Sequence, residues 1–204
     1  MSNSDAKVYV VDDDEPVRDA ISMLLDTVGI PHQVYPDAQA FLAGFDPAAH
    51  SCLVLDIRMP GMSGLELQEE LNQRSISLPI IFITGHGDIP MAVEAMRRGA
   101  VDFIRKPFRD QELLDRINEA LALDEEQRER NAGAEEARAL VDELTPRETE
   151  VFERVTDGQA NKVIAIELGI SERTVEIHRS QVMHKTQSRS LADLVRLKLR
   201  LENG

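Results

Sequence analysis

Residues 52–61 read Cys-Leu-Val-Leu-Asp-Ile-Arg-Met-Pro-Gly. Four consecutive apolar residues, Cys52–Leu55, stop at a carboxylate, Asp56, and Pro60-Gly61 closes the segment. A short unbroken apolar run bounded by turn residues reads as a strand buried on both faces, as in a parallel sheet. The sequence on either side repeats that plan. Lys7–Val11 is an apolar run ending in Asp12-Asp13-Asp14, and Pro79–Ile83 is another, ending at Thr84. Gln33–Tyr35 and Val101–Ile104 complete a set of five, the last followed by Lys106-Pro107. Helical patterns lie between them: Pro16 to Val28, ended by Gly29; Asp37–Gly44; Gly64–Gln73; Ile89–Arg98, ended by Gly99; and Asp110–Leu123. Strands alternating with helices of this length predict βαβ units with right-handed crossovers. Residues 1–122 are therefore expected to form an α/β domain, a doubly wound five-stranded parallel sheet whose ligands bind beyond the carboxyl ends of the strands.

The remainder has a different texture. Residues 123–143 are rich in Glu, Arg and Ala, with no apolar heptad seam from Asp124 to Glu136. They read as an acidic helical linker, solvated or flexible, with Gly133 its weak point. Residues 144–204 hold only helix patterns, predicting an all-α domain. Thr145-Pro146-Arg147-Glu148 is a capping box with Pro at the first helical position. Asn161–Leu168 is a short helix ended by Gly169, Ser171 caps a helix to about Lys185, and Ser190 opens the last with Asp193 in the box position.

Hydrophobic residues make up 42% of the 204 and charged residues 29%, which suits two domains that each bury a core. No run of about 18 apolar residues exists, so no membrane span is expected. The polar start, Met1 to Ala6, has neither the basic residues nor the apolar stretch of a signal peptide. The single cysteine, Cys52, belongs to an apolar run and is assigned to the core. These features predict a cytoplasmic protein. The net charge of −14 is unevenly spread. Residues 1–122 carry ten basic and twenty acidic side chains, residues 123–143 three and eight, and residues 144–204 ten and nine. DNA phosphates would repel the first two segments and leave only the last free to approach them.

In this reading Asp12 and Asp13 follow the first strand, Asp56 the third, Thr84 the fourth, and Lys106 the fifth, so one sheet edge gathers all of them. Three carboxylates in one crevice repel each other unless a cation joins them, and a hard divalent ion such as Mg²⁺ suits oxygen donors. With metal and positioning a carboxylate can attack a phosphoryl group. The Thr84 hydroxyl and Lys106 ammonium fit the phosphoryl oxygens. The five histidines lack metal-site spacing, so no zinc is expected.

Residues 6–122 resemble the receiver domain of a bacterial two-component response regulator, a flavodoxin-like fold. The resemblance is carried by Val11-Asp12-Asp13, Asp56-Ile57-Arg58-Met59-Pro60-Gly61, Thr84-Gly85 and Lys106-Pro107-Phe108. It implies that Asp56 accepts phosphate from a sensor histidine kinase. Asp13 would bind Mg²⁺ directly, Asp12 through water, and the Arg58 backbone carbonyl would be a further ligand. Thr84 and Lys106 would sense the phosphoryl group, and Phe103 would be the aromatic that swings inward on switching. Asp14 has no family role and reads as the cap of the first helix.

Residues 144–200 resemble the LuxR-type helix-turn-helix domain, and the domain order resembles the FixJ branch of response regulators. The motif residues are Leu144-Thr145-Pro146-Arg147-Glu148, Asn161 to Ala165, Ile170 to Val175, His178 and Lys185; Thr186 departs from the usual Leu. The recognition helix can also be read directly. At about 100° per residue, Arg173, Glu176, Ile177, Ser180 and His184 share one face, and Val175, His178, Val182 and Thr186 the other. The second face should pack on the domain, with His178 buried and hydrogen-bonded. The first is free to enter the major groove of promoter DNA, where Arg can pair with guanine, Glu with cytosine and Ile with a thymine methyl. Thr174 is counted with this set, and Lys162, Arg179 and Lys185 are assigned to phosphates. RNA polymerase is a further partner that the resemblance implies.

Two other readings remain open at this level. One is an aspartate-nucleophile phosphohydrolase, which would typically carry a second Asp where Arg58 stands. The other is a DNA-binding regulator whose receiver works without phosphorylation. If the receiver does switch, its acidity favours action through a dimer, because two linked copies on a twofold site offset the weak hold of one. In FixJ-type receivers the helix here spanning Ile89–Arg98 and the following strand form that surface. Ala92, Ala95, Met96 and Gly99 would face the sheet. Val93 would meet its copy, and Arg97 would pair with Asp102 of the other chain. The alternative surface is the first helix with the fifth.

Overall fold

The structure is a computed structural model that describes residues 6–85 and 89–202. The polar residues 1–5, residues 86–88 and residues 203–204 lie outside it. The chain divides into two compact units between Glu126 and Gln127.

In the first unit β1 (Lys7–Val11), β2 (His32–Tyr35), β3 (Ser51–Asp56), β4 (Ile80–Thr84) and β5 (Asp102–Arg105) form one parallel sheet of order β2-β1-β3-β4-β5. Between the strands run α1 (Glu15–Val28), α2 (Ala38–Gly44), α3 (Gly64–Gln73) and α4 (Ile89–Arg97), and α5 begins at Asp110. β3 and β4 are buried at every position, which explains why they read as unbroken apolar runs. Strand alternation splits the core in two. Val8, Val10, Cys52, Val54, Ile81 and Ile83 pack against α1 and α5. Tyr9, Val11, Leu53, Leu55 and Phe82 pack against α2, α3 and α4. Strand order reverses between β1 and β3, and a doubly wound sheet opens its ligand crevice at such a point. The register pairs Val11 with Leu55, which brings Asp12, just after β1, beside Asp56, the last residue of β3.

Four sequence expectations need correction here. Asp14 occupies the N-cap of α1, but its side chain makes no capping hydrogen bond. Met96 was assigned to the sheet side of α4 and is 39% exposed, while Ala92 and Ala95 are fully buried. The fifth helix was expected to end at Leu123, yet α5 runs Asp110–Asp142. Asp124, assigned to the linker, is buried and accepts a hydrogen bond from the Ser51 amide at 3.0 Å, so it belongs to the first unit.

In the second unit α6 (Pro146–Thr156), α7 (Asn161–Leu168), α8 (Glu172–Lys185) and α9 (Leu191–Glu202) enclose a core of Val151, Phe152, Val155, Ile164, Val175, Val182, Leu194 and Leu197. The last turns of α5 join it: Ala137 is fully buried, with Leu140 and Val141 beside it. Alanines at helical spacing cover a small face without making an apolar seam, which is why this stretch reads as solvated from sequence. Gly133 does not interrupt the helix. Gly169 adopts φ +65°, the left-handed conformation that stops α7 and turns the chain into α8.

Candidate functional site

The carboxyl ends of β1, β3, β4 and β5 build the site. Asp12 is fully buried just after β1, and Asp13 beside it is exposed. Asp56 closes β3 at 7% exposure. Carboxylate oxygens of Asp12, Asp13 and Asp56 all lie within 4.8 Å of one another. Lys106, whose peptide bond to Pro107 is cis, reaches in from beyond β5. Its ammonium is 2.6 Å from an Asp12 oxygen and 3.4 Å from Asp56. Thr84 is buried at the end of β4, and in register it faces Arg105 of β5.

One ammonium does not balance three carboxylates. Burial, and then the charges of Asp12 and Asp13, push the Asp56 carboxyl up to about 6 against the opposing pull of Lys106. Burial works against the charged form of Lys106, but Asp12 and Asp56 offset it and hold its pKa above the usual lysine value. The unbalanced negative charge, the all-oxygen donor set and the exposed Asp13 fit a divalent cation that keeps part of its water shell.

Two residues that position this chemistry were not found from sequence. The Arg18 guanidinium donates to the Asp12 carbonyl at 2.7 Å, fixing the loop after β1. Gly64 opens α3, and a Cβ there would lie 2.3 Å from the carbonyl oxygen of Asp56. Arg18 reads as a charge on an exposed helix face, and Gly64 as a helix start. Only the through-space partner reveals either role.

Other expected residues fall in varied surroundings. The Arg58 side chain is exposed. Phe103 is 36% exposed, and its register partner Phe82 lies in the core beside α2, α3 and α4, so Phe103 belongs to the sheet face that α4 covers. Val93 is 46% exposed and Arg97 is exposed. Asp102 is already paired within the chain, 3.0 Å from Arg116.

On α8, Arg173, Glu176, Ile177, Ser180 and His184 are exposed, while Val175, Val182 and Thr186 are buried. The Thr186 hydroxyl donates to the Val182 carbonyl at 2.7 Å, so the departure from Leu buries no unmet polar group. His178 is half-buried and has no hydrogen-bond partner among the described residues, contrary to expectation. Lys185, assigned to DNA phosphate, is instead committed inside the unit: its ammonium is 2.7 Å from buried Glu148 and 3.2 Å from the Glu143 carbonyl. Arg179 is partly committed, donating to Asn161 at 2.6 Å. Thr174 is half-buried against the Ser171 cap, and Lys162 is exposed.

The family described as the response regulator receiver domain matches residues 8–118, and the bacterial regulatory proteins of the luxR family match residues 142–198. The chain belongs to the response regulators of the FixJ type. It is 47% identical to Nodulation protein W of Bradyrhizobium diazoefficiens over 96% of its own length and 86% of that protein's. It is 45% identical to the transcriptional regulatory protein FixJ of the same organism, covering 95% of this chain and 94% of that one. The solved structure of the response regulator StyR superposes with a TM-score of 0.83 at 47% identity, covering 96% of this chain and 99% of that chain. This response regulator is thus a two-component transcription regulator, with a receiver that carries the acidic cluster of Asp12, Asp13 and Asp56 and a LuxR-type DNA-binding domain. That architecture implies a sensor kinase and DNA as partners. The luxR match accounts for the segment that a phosphohydrolase would leave unexplained. Among the described residues no helix is long and apolar enough to cross a membrane.

Proposed function

We propose that this response regulator is switched by phosphorylation of Asp56 from a histidine kinase, then dimerises through α4 and β5 and binds promoter DNA to recruit or regulate RNA polymerase. The observation that supports it most directly is the meeting of Asp56, Asp12, Asp13 and Lys106 at the sheet's switch point. Asp13 and Asp56, with Asp12 through water and the Arg58 carbonyl, would hold Mg²⁺. When bound, the ion neutralises charge on the transferring group. An Asp56 oxygen forms the new bond to phosphorus as the donor's bond to phosphorus breaks, and the donor histidine keeps the electron pair. Lys106 and Thr84 then face the acquired oxygens with an ammonium and a hydroxyl. Lys106 has two carboxylate contacts in the resting protein, and a phosphoryl group would compete for it. The receiver promotes only its own phosphorylation and dephosphorylation.

On DNA, Arg173, Glu176, Ile177 and Ser180 are the base-facing set, Lys162 touches phosphate, and Arg179 and Thr174 contribute from the margin. Lys185 is reassigned to holding α8.

The test is binding-site selection from random DNA with and without acetyl phosphate, on the native protein and on Asp56→Asn. The native protein should select a twofold sequence tightly only with the donor and Mg²⁺, and Asp56→Asn should lose both labelling and the response. Equal labelling of the Asn variant would sink the assignment.

A further inference from the structure

α3 connects two parts of the receiver that the switch must link. Its first residue, Gly64, donates from its amide to the Ile57 carbonyl at 3.0 Å and sits so close to Asp56 that only a missing side chain allows it. One turn later comes Gln68, which is 1% exposed. Its amide donates 3.1 Å to the carbonyl of Ala95 in the last turns of α4. Its Oε1 is buried with no hydrogen-bond partner among the described residues. A buried amide is normally satisfied at both ends, because an unmet acceptor carries its full desolvation cost. Arg98 adds an exposed grip on the same end of α4, 2.8 Å from Glu69 of α3.

We infer that Gln68 is a positioning residue, a strap by which α3 holds the C-terminal turns of α4 in the resting position relative to the loop that carries Asp56. The Ala95 carbonyl already receives the amides of Arg98 and Ala100, so Gln68 is its third donor. The buried part of the strap is therefore one bond, beside the exposed Arg98–Glu69 pair and a 3.4 Å bond from the Asn72 side-chain amide to the Arg98 carbonyl, and such a contact favours one position of α4 without locking it. Thr84 and Phe103 belong to β4 and β5, which α4 packs against; Gln68 reaches α4 from α3. The inference rests on the reading that α4 carries the surface where phosphorylated copies meet.

Gln68→Met keeps length and shape while removing both the bond and the unmet oxygen. Hydrogen exchange of the Arg98, Gly99 and Ala100 amides reads the hold on α4 directly, and sedimentation of the same samples reads dimerisation. Without phosphate, those amides should exchange about tenfold faster in the variant. The unphosphorylated variant should dimerise about tenfold more readily than wild type, with Asp56 labelling retained. Arg98→Ala, which removes the surface pair with Glu69, should move both readouts the same way by less. Unchanged exchange in Gln68→Met overturns the strap whatever the sedimentation shows. Faster exchange with no dimer in any sample, phosphorylated wild type included, sustains the strap and removes the dimer surface instead. A general rise in exchange across the sheet, with loss of Asp56 labelling, would make Gln68 an ordinary core residue and overturn its assignment as a strap.

Discussion

Asp56 is the proposed phosphoacceptor, and Gly64 decides where it sits. Any side chain there meets the Asp56 backbone carbonyl at 2.3 Å, a contact between backbone-fixed atoms that no rotamer relieves. Gly64→Ala should therefore push α3 from β3, costing about 1–3 kcal/mol in chemical unfolding as overpacking does, and slow Asp56 labelling while a milder Leu65→Ala change does not. The carboxylates themselves were legible from the sequence because each ends a strand, and parallel strands deliver their ends to one edge. Arg18, Gly64 and Gln68 were not, since each acts through a partner on another element that no local pattern announces. Cys52 was readable for the opposite reason: it lies within the buried strand, and burial pushes its thiol up, well away from reactivity.

At the scale of the element, α8 shows what periodicity does and does not give. The period separated its buried and exposed faces, because packing against one core imposes a helical repeat. It could not distinguish a lysine that reaches DNA from one that reaches back, and Lys185 finds Glu148 on α6. Replacing Arg173 or Glu176 by Ala should weaken specific binding by about 1–3 kcal/mol and relax one base position. Replacing Lys162 should weaken all sequences alike and lower the salt dependence. Lys185→Ala should instead reduce stability, and quantitative binding across salt concentrations would separate the two lysines. The Lys185 ammonium, and then the Thr145 amide, hold the Glu148 carboxyl below the ordinary glutamate range. A carboxyl lowered by folding adds stability that is complete above its unfolded value, about 4.3, and that disappears as pH falls through the lower folded value. Thermal unfolding of the second unit should thus worsen below about pH 4, and Glu148→Gln should remove that part of the dependence.

At the scale of the whole molecule, an acidic receiver must deliver a DNA-binding domain to an anionic polymer, which is the argument for acting in pairs. Val93 and Met96 on α4 and Phe103 on β5 are exposed apolar residues on the surface proposed for that pairing. Val93→Asp should block phosphorylation-induced dimerisation in sedimentation while leaving Asp56 labelling intact, and a normal dimer from it would exclude this surface. Arg97→Glu should act likewise. Adding Asp102→Arg should not restore the dimer, because Asp102 already pairs with Arg116 within the chain and the substitution would set two guanidinium groups together. The two-domain plan was plain in the sequence from the change of texture near residue 123. The limit of each domain was not, because charge marked residues 123–143 as linker while buried atoms within that stretch had partners elsewhere.

Asp124 shows what that costs in practice. Its carboxylate closes the start of β3 by taking the Ser51 amide, and the Leu121 carbonyl takes the His50 ring one residue earlier. A receiver excised at residue 122, where composition invites the cut, would leave a buried N–H without its acceptor, a loss of about 1–3 kcal/mol. A fragment carried to Glu126 would keep it. Measurements of phosphorylation lifetime on the shorter piece would then describe a sheet loosened at its far end, and comparing the melting of the two fragments would expose the artefact.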